Sequence, residues 1–131
     1  MFTIQQIDNA HSKVKTGKDF PQYIQDIKKL GVTAFTNWVQ EGIVSYQGIN
    51  EFKIASLKLY SSIIIQSSYN ASTFLHQLKI HQQGATDFLT FCSDCANCGV
   101  AGWTMDLHQL TCSYFDIHQN IVLVEQIPAI A

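Results

Sequence analysis

The chain contains no arginine: its eight basic residues are all lysine, against ten acidic ones, for a formal net charge of -2 at pH 7. Without a guanidinium fork, bidentate reading of guanine, phosphate or carboxylate by arginine is excluded. So few lysines leave no footprint for neutralising a nucleic-acid backbone, and no nucleic-acid partner is expected. The one basic cluster, Lys13, Lys15 and Lys18, reads as the solvated end of a helix. Charge of either sign is scarce, at 14% of residues, which leaves much of the surface to neutral Gln, Asn, Ser and Thr. That composition points to self-association or a protein partner. Membrane-spanning runs are missing as well. The triple isoleucine Ile63-Ile64-Ile65 is far too short to cross a bilayer. The N-terminal MFTIQQIDNAH is amphipathic, not a basic head followed by an apolar run, so no targeting segment is expected. Neither a glycine-rich phosphate loop nor a G-x-S-x-G nucleophile motif occurs. The reading is a cytoplasmic protein with reduced thiols and no membrane partner.

What is present suits one domain over residues 1–131: hydrophobic residues make up 47% of the chain, enough for a packed core. Ile4, Ile7, His11 and Val14 recur at helical spacing from Thr3 to Lys15, with Thr3 as N-cap and Gly17 as stop. Phe20, Tyr23, Ile24, Ile27 and Leu30 form the stripe of a second helix. Asp19 stands at its cap, Pro21 in its first turn and Gly31 at its end. The period then changes. Val32 to Val39 and Ile43 to Gln47 read as a hairpin, Glu51 to Ala55 as a third strand and Ser61 to Ser67 as a fourth, with Ser56 to Tyr60 open between a short helix and a bend. Asn70 or Ser72 caps a third helix that Gly84 stops. Thr86 or Asp87 caps a fourth, whose stripe is Phe88, Phe91, Cys92, Cys95 and Gly99, with Gly99 at its C-terminal stop.

The last part is a three-stranded meander. Alternation puts Trp103, Met105 and Leu107 on one face and Thr104, Asp106 and His108 on the other. A three-residue loop would pair Leu107 with Ser113, Asp106 with Tyr114 and Met105 with Phe115. A second loop over His118 to Asn120 would place Leu123 and Glu125 on the apolar side. A carboxylate there breaks the pattern, and such breaks are where function is sought. The predicted class is α+β, a mostly antiparallel sheet with helical pairs packed on it, in the order αα-ββββ-αα-βββ. The halves share an αα-then-β rhythm without an evident residue-level repeat.

Four constellations could carry chemistry. Cys92, Cys95, Cys98 and Cys112 superficially resemble a metal-thiolate set. A regular helix cannot easily converge three thiolates, however, and Cys98 is rotated away from Cys92, so core thiols are the simpler reading and no metal is expected. Redox pairing is disfavoured because Cys92 lies well inside the helix, away from the N-terminus that would lower its pKa. Those cysteines, five histidines and several carboxylates offer thiol-enzyme combinations without any local signature. His76 and His81 are five apart and do not share a helical face. Finally, Tyr23, Trp38, Tyr46, Tyr60, Trp103 and Tyr114, with Asp106 and Glu125, could line a ligand pocket between helices and sheet.

The stretches AHSKVKTGKDFPQYIQDIKKLGV at 10–32, HQQGATDFLTFC at 81–92, GVAGWTMDL at 99–107, TCSYFD at 111–116 and VEQIP at 124–128 are similar to a small bacterial and phage family of unknown function, labelled phage envelope protein-like. The resemblance runs through most of the chain in order and is vaguer over about 50–72. Cys92 and Cys112 match its pattern; Cys95 and Cys98 do not. It implies a single α+β domain and no catalytic residues or cofactor.

The expected function is thus a prophage-associated, non-enzymatic binding or protein-interaction module without cofactor, with self-association as one form of partnership. The rival is a small-molecule-binding protein or enzyme whose pocket is drawn from His11, Asp87, Asp106, Tyr114 and Glu125.

Overall fold

The computed structural model describes residues 1–15 and 17–128. Thr3 opens helix α1 (Ile4–His11) with a capping box: its hydroxyl accepts from the Gln6 backbone while the Gln6 side chain accepts from the Thr3 N–H. The helix ends earlier than the apolar spacing suggests. A 3-10 turn at Gly17–Asp19 then leads into α2 (Phe20–Leu30). Asp19 stands at the cap position, but its carboxylate accepts from the Lys15 backbone instead of capping α2. Gly31 closes α2 in the left-handed region, as expected. Strands β1 (Ala34–Trp38), β2 (Ile43–Gln47) and β3 (Lys53–Ala55) follow, then α3 (Ala71–Gln82), α4 (Phe88–Asn97), β4 (Gly102–Asp106), β5 (Thr111–Phe115) and β6 (Ile121–Gln126). Asn70 caps α3 and Asp87 caps α4 through their side chains. The class is α+β. All six strands pair antiparallel in the order β3-β2-β1-β4-β5-β6.

Two expectations of detail change. Ser61–Ser67 is not a strand. Residues 56–70 form an irregular strap from the β3 edge back across the ends of both halves. It is held by Leu59 N–H to Gly42 O, Ile63 N–H to Gln40 O, Gln66 N–H to Ala96 O and Asn70 N–H to Cys98 O. Ile63 and Ile65 turn inward and Ile64 is exposed. A ladder, though, runs along a sheet edge, and this segment crosses the β1–β2 turn and the end of α4 instead. The β4–β5 register is also shifted by three residues: Trp103 pairs with Tyr114, Met105 with Cys112 and Asp106 with Thr111. Leu110 adopts φ 57° and the Asp106 carboxylate accepts from the backbones of His108 and Gln109, which closes a longer turn than expected. An odd shift reverses faces. Tyr114, not Phe115, therefore joins Trp103 and Met105.

The halves are a residue-level repeat after all. Asp19 and Asp87, Phe20 and Phe88, Asp26 and Asp94, Gly31 and Gly99, Val32 and Val100, Thr36 and Thr104, Ser45 and Ser113, and Tyr46 and Tyr114 are identical pairs, each 68 positions apart. The backbone repeats with them. Val32 donates to Ile27 as Val100 does to Cys95, and Thr33 donates to Gln47 as Ala101 does to Phe115. The halves meet along β1 and β4, and Thr36 pairs with its own counterpart Thr104, so an approximate two-fold axis passes between them. Their hydroxyls lie 2.9 Å apart in a hydrogen bond. The reciprocal bonds Val39 N–H to Ala101 O and Leu107 N–H to Thr33 O flank that axis.

The helices cover one face of the sheet. The core holds Ile7, Ile24, Ile27, Phe74, Phe91, Cys92, Cys95, Trp103, Leu107, Cys112 and Tyr114. Phe74, Phe91, Trp103 and Tyr114 pack ring on ring, with Phe74 to Tyr114 at 5.2 Å and Phe91 to Trp103 at 5.3 Å. Among the described residues, no helix is long and apolar enough to cross a membrane.

Candidate binding surface

Pairing fixes which side chains share a side of the sheet. Cys112 pairs with Glu125 and Tyr114 with Leu123, so Glu125 is on the helix-covered side, as the alternation of the last strand predicts. Its carboxylate is half-buried at the rim. Tyr114 Oη donates to Glu125 Oε1 at 3.2 Å, and Gln82 Nε2 donates to Oε1 at 3.0 Å and Oε2 at 3.2 Å. Burial raises the Tyr114 hydroxyl well above its ordinary pKa, and the neighbouring Cys112 and Glu125 add to the shift. Burial likewise pushes the Cys112 thiol up to about 12, with Glu125 adding to it. Both groups hold their protons at neutral pH, so the cluster offers hydrogen bonds and no ready nucleophile.

The other three pocket candidates stand elsewhere. Asp106 is on the opposite side of the sheet, capping the β4–β5 turn. Asp87 is exposed at the start of α4, where the Thr90 backbone donates to it at 2.8 Å, and the Thr90 hydroxyl and backbone together hold its carboxyl below the usual range. His11 is exposed at the end of α1, its ring edge-on to Tyr23 at 5.2 Å. Tyr114 and Glu125 are thus the two that meet.

All four cysteines are free and buried. Burial raises each thiol, Cys95 furthest, with Cys92, Cys98 and Cys112 as close neighbours adding to it. Among the described residues, no group of three or more His, Cys, Asp or Glu is placed to hold a metal ion. His81 stacks on Phe91 with ring centres 4.2 Å apart and 10° between planes. Its Nδ1 lies 3.1 Å from the Thr86 carbonyl and 3.0 Å from the Thr86 hydroxyl, which fixes the ring over Phe91. Burial lowers the pKa of this imidazole.

The face opposite the helices carries Thr36, Trp38, Ile43, Ser45, Thr104, Asp106, Ser113, Phe115 and Val124, and among the described residues no helix packs on it. Its two ends differ. Trp38, Gly102 and Phe115 lie side by side in register across β1, β4 and β5. Their counterparts in the repeat are Asp106, Ala34 and Gln47. One end is therefore aromatic where the other is polar. Gly102 makes the aromatic end buildable: a Cβ there would overlap the Asn37 carbonyl oxygen and come within 2.6 Å of Phe115 Cζ. Phe115 lies across this glycine with its ring 5.6 Å from that of Trp38. The Trp38 indole is pinned by its Nε1–H donating to Ser45 Oγ at 2.9 Å. A cavity of about 140 Å3 opens at this end, walled by Gln40, Glu41, Asp116 and Gln119. Asp116 is held ionised below its usual range by the backbones of Asn120 and His118. A second, shallower hollow of about 340 Å3 lies between α1 and α2, beside Lys13, Asp26 and Lys29. None of the five pocket candidates lines either one. The sequence flags Trp38 as an aromatic needing a partner for its N–H. It does not say that the helices leave that side of β1 bare.

The chain belongs to the family described as protein of unknown function (DUF1398), whose profile matches residues 8–126. No curated protein matches it.

Proposed function

We propose that the chain is a non-enzymatic binding module that engages a protein partner through the uncovered face of its sheet. The observation that carries this reading is the Trp38–Phe115 end of that face. A half-buried Trp38 lying against a buried Phe115, beside a small hollow and among neutral Thr and Ser, has the composition of an interface core with a polar surround. The polar counterparts of these aromatics in the other half support a role beyond folding, because the same strands form without them. A cytoplasmic, prophage-associated setting belongs to the same proposal. The four unpaired thiols and the resemblance to the phage-labelled family support it.

A photo-crosslinking residue placed at Ser113, on the open face, tests the reading in the cells that make the protein. A matching residue at Gln22, on the exposed side of α2, is the control. Discrete adducts from Ser113, lost when Trp38 is changed to Ala and absent from Gln22, are expected. Equal labelling from both positions, or none from Ser113, would overturn the proposal. The inward Glu125 favours a second reading, a small ligand held at the rim by Glu125, Tyr114 and Gln82. It predicts a compound that raises the melting temperature of the parent chain and not of Glu125→Gln.

A further inference from the structure

The two edges of the sheet are counterparts in the repeat, yet they are built differently. β3 spans three residues, carries Lys53 and follows two residues at positive φ, Asn50 and Glu51. A short edge with a lysine is the usual guard against strand addition. β6 spans six residues, IVLVEQ, with neither lysine nor proline, and its bulge is spent on the β5 side near Phe115. Its one charge, Glu125, turns inward to Gln82 and Tyr114. Ile121 is 57% exposed and Val124 55%. Leu75, on α3, is 49% exposed, and the same helix reaches the β6 edge through the Gln82–Glu125 bonds.

Backbone directions on β6 follow from one hydrogen bond. Ile127 N–H donates to Leu110 O at 2.7 Å, in register with the β5–β6 ladder. By alternation Glu125 and Leu123 bond to β5, and Val124 and Gln126 turn their N–H and C=O groups outward. Among the described residues, these outward groups form an open template.

We infer that β6 is the edge through which two copies of this chain pair, antiparallel and about a two-fold axis at Val124. An antiparallel edge is self-complementary under such an axis. The chain already uses this solution internally, since β1 and β4 join the halves antiparallel about the Thr36–Thr104 axis with both helix layers on one side. With Val124 on the new axis, the two Val124 backbones exchange a pair of hydrogen bonds. Glu125 then stands opposite the partner's Leu123 and not another carboxylate. The result is a twelve-stranded sheet with all helices on one side. The pairing uses the β6 backbone and is read by self-association, whereas the partner proposed above is read by adducts from Ser113 that depend on Trp38, so either can fail without the other.

The test is sedimentation equilibrium on the full chain, alongside Val124→Pro and Val124→Lys. Proline removes an N–H that the internal ladder does not use, so the monomer keeps its fold. The dimer loses two main-chain bonds, and its dissociation constant should rise at least about thirtyfold. Lysine sets two ammonium groups face to face on the axis and should also give a monomer, while its position is already exposed to solvent. A dimer in the parent chain that both variants abolish, with unchanged circular dichroism, is the expected result. A parent chain that stays monomeric up to its solubility limit would overturn the inference. So would a dimer of unchanged affinity in a folded Val124→Lys.

Discussion

Gly31 and Gly99 are counterparts 68 positions apart, each ending a helix at positive φ, at 109° and 79°. Replacing either with alanine forces a β-carbon into the left-handed region, which costs about 1–2 kcal/mol. At Gly31 little more is expected, because the nearest heavy atom to the new Cβ is Phe2 Cδ2 at 3.7 Å, an ordinary contact. At Gly99 the strap passes directly overhead. A Cβ there would overlap the Ser68 carbonyl oxygen and reach within 2.9 Å of Tyr69 Cα. Backbone cannot swing aside as a side chain can, so the strap must lift. That loosens the bonds from Gln66 to Ala96 and from Asn70 to Cys98, worth about 1 kcal/mol each, and disturbs the α3 cap. Gly31→Ala should therefore cost about 1–2 kcal/mol and Gly99→Ala about 3–5 kcal/mol. Urea denaturation monitored by circular dichroism reads both, as a fall in midpoint at constant slope. Equal losses within about 0.5 kcal/mol would refute the argument that the strap, and not the helix stop, makes Gly99 indispensable.

His81 gives a pH dependence. Its pKa is lowered in the folded state by burial, so the unfolded chain binds the proton more readily, and this contribution is intact above about pH 6.5 and is lost as pH falls through the folded value. The urea midpoint should decline on acidification across that window, and His81→Gln should flatten the decline; an unchanged slope would show that another group titrates. The four buried thiols should resist a bulky aromatic disulfide reagent at pH 8 and all react in denaturant, since burial keeps them protonated. Rapid modification of Cys95 in the native chain would contradict its place in the core.

Local signals survived into the structure because local physics sets them. Thr3, Asn70 and Asp87 cap where their hydroxyl, amide or carboxylate can reach an orphan N–H, and Gly31 and Gly99 stop helices where only glycine is unstrained. Leu123 and Glu125 alternate to the helix side as strand geometry requires. What failed depended on partners distant in sequence. The β4–β5 register turned on Leu110 taking a positive φ, which nothing in Leu-Thr-Cys announces. Ser61–Ser67 has the composition of a buried strand but is tied to the β1–β2 turn and the end of α4 instead of running along a sheet edge. Of the five residues assembled as a pocket, Asp106 and Tyr114 were placed side by side by the mistaken register, and correcting it sends them to opposite sides of the sheet.

The repeat then gives the chain an internal control. Positions identical in both halves recur at features that both halves need: the helix-stop glycines, the axial threonines, and Tyr46 and Tyr114 against Phe35 and Trp103. Most other positions differ between the halves, and three of the differences fall at the surface. Trp38 and Phe115 face Asp106 and Gln47 across the axis. Tyr46 turns toward Tyr23, whereas Tyr114 turns toward Glu125. The β3 edge is short where the β6 edge is long. A duplicated unit relieved of half its folding duties can change on one side alone, so these asymmetries mark the open face, the Glu125 rim and the β6 edge as the places where this chain differs from a symmetric scaffold. At the third, Ile121 and Val124 also meet solvent, at 57% and 55% exposure.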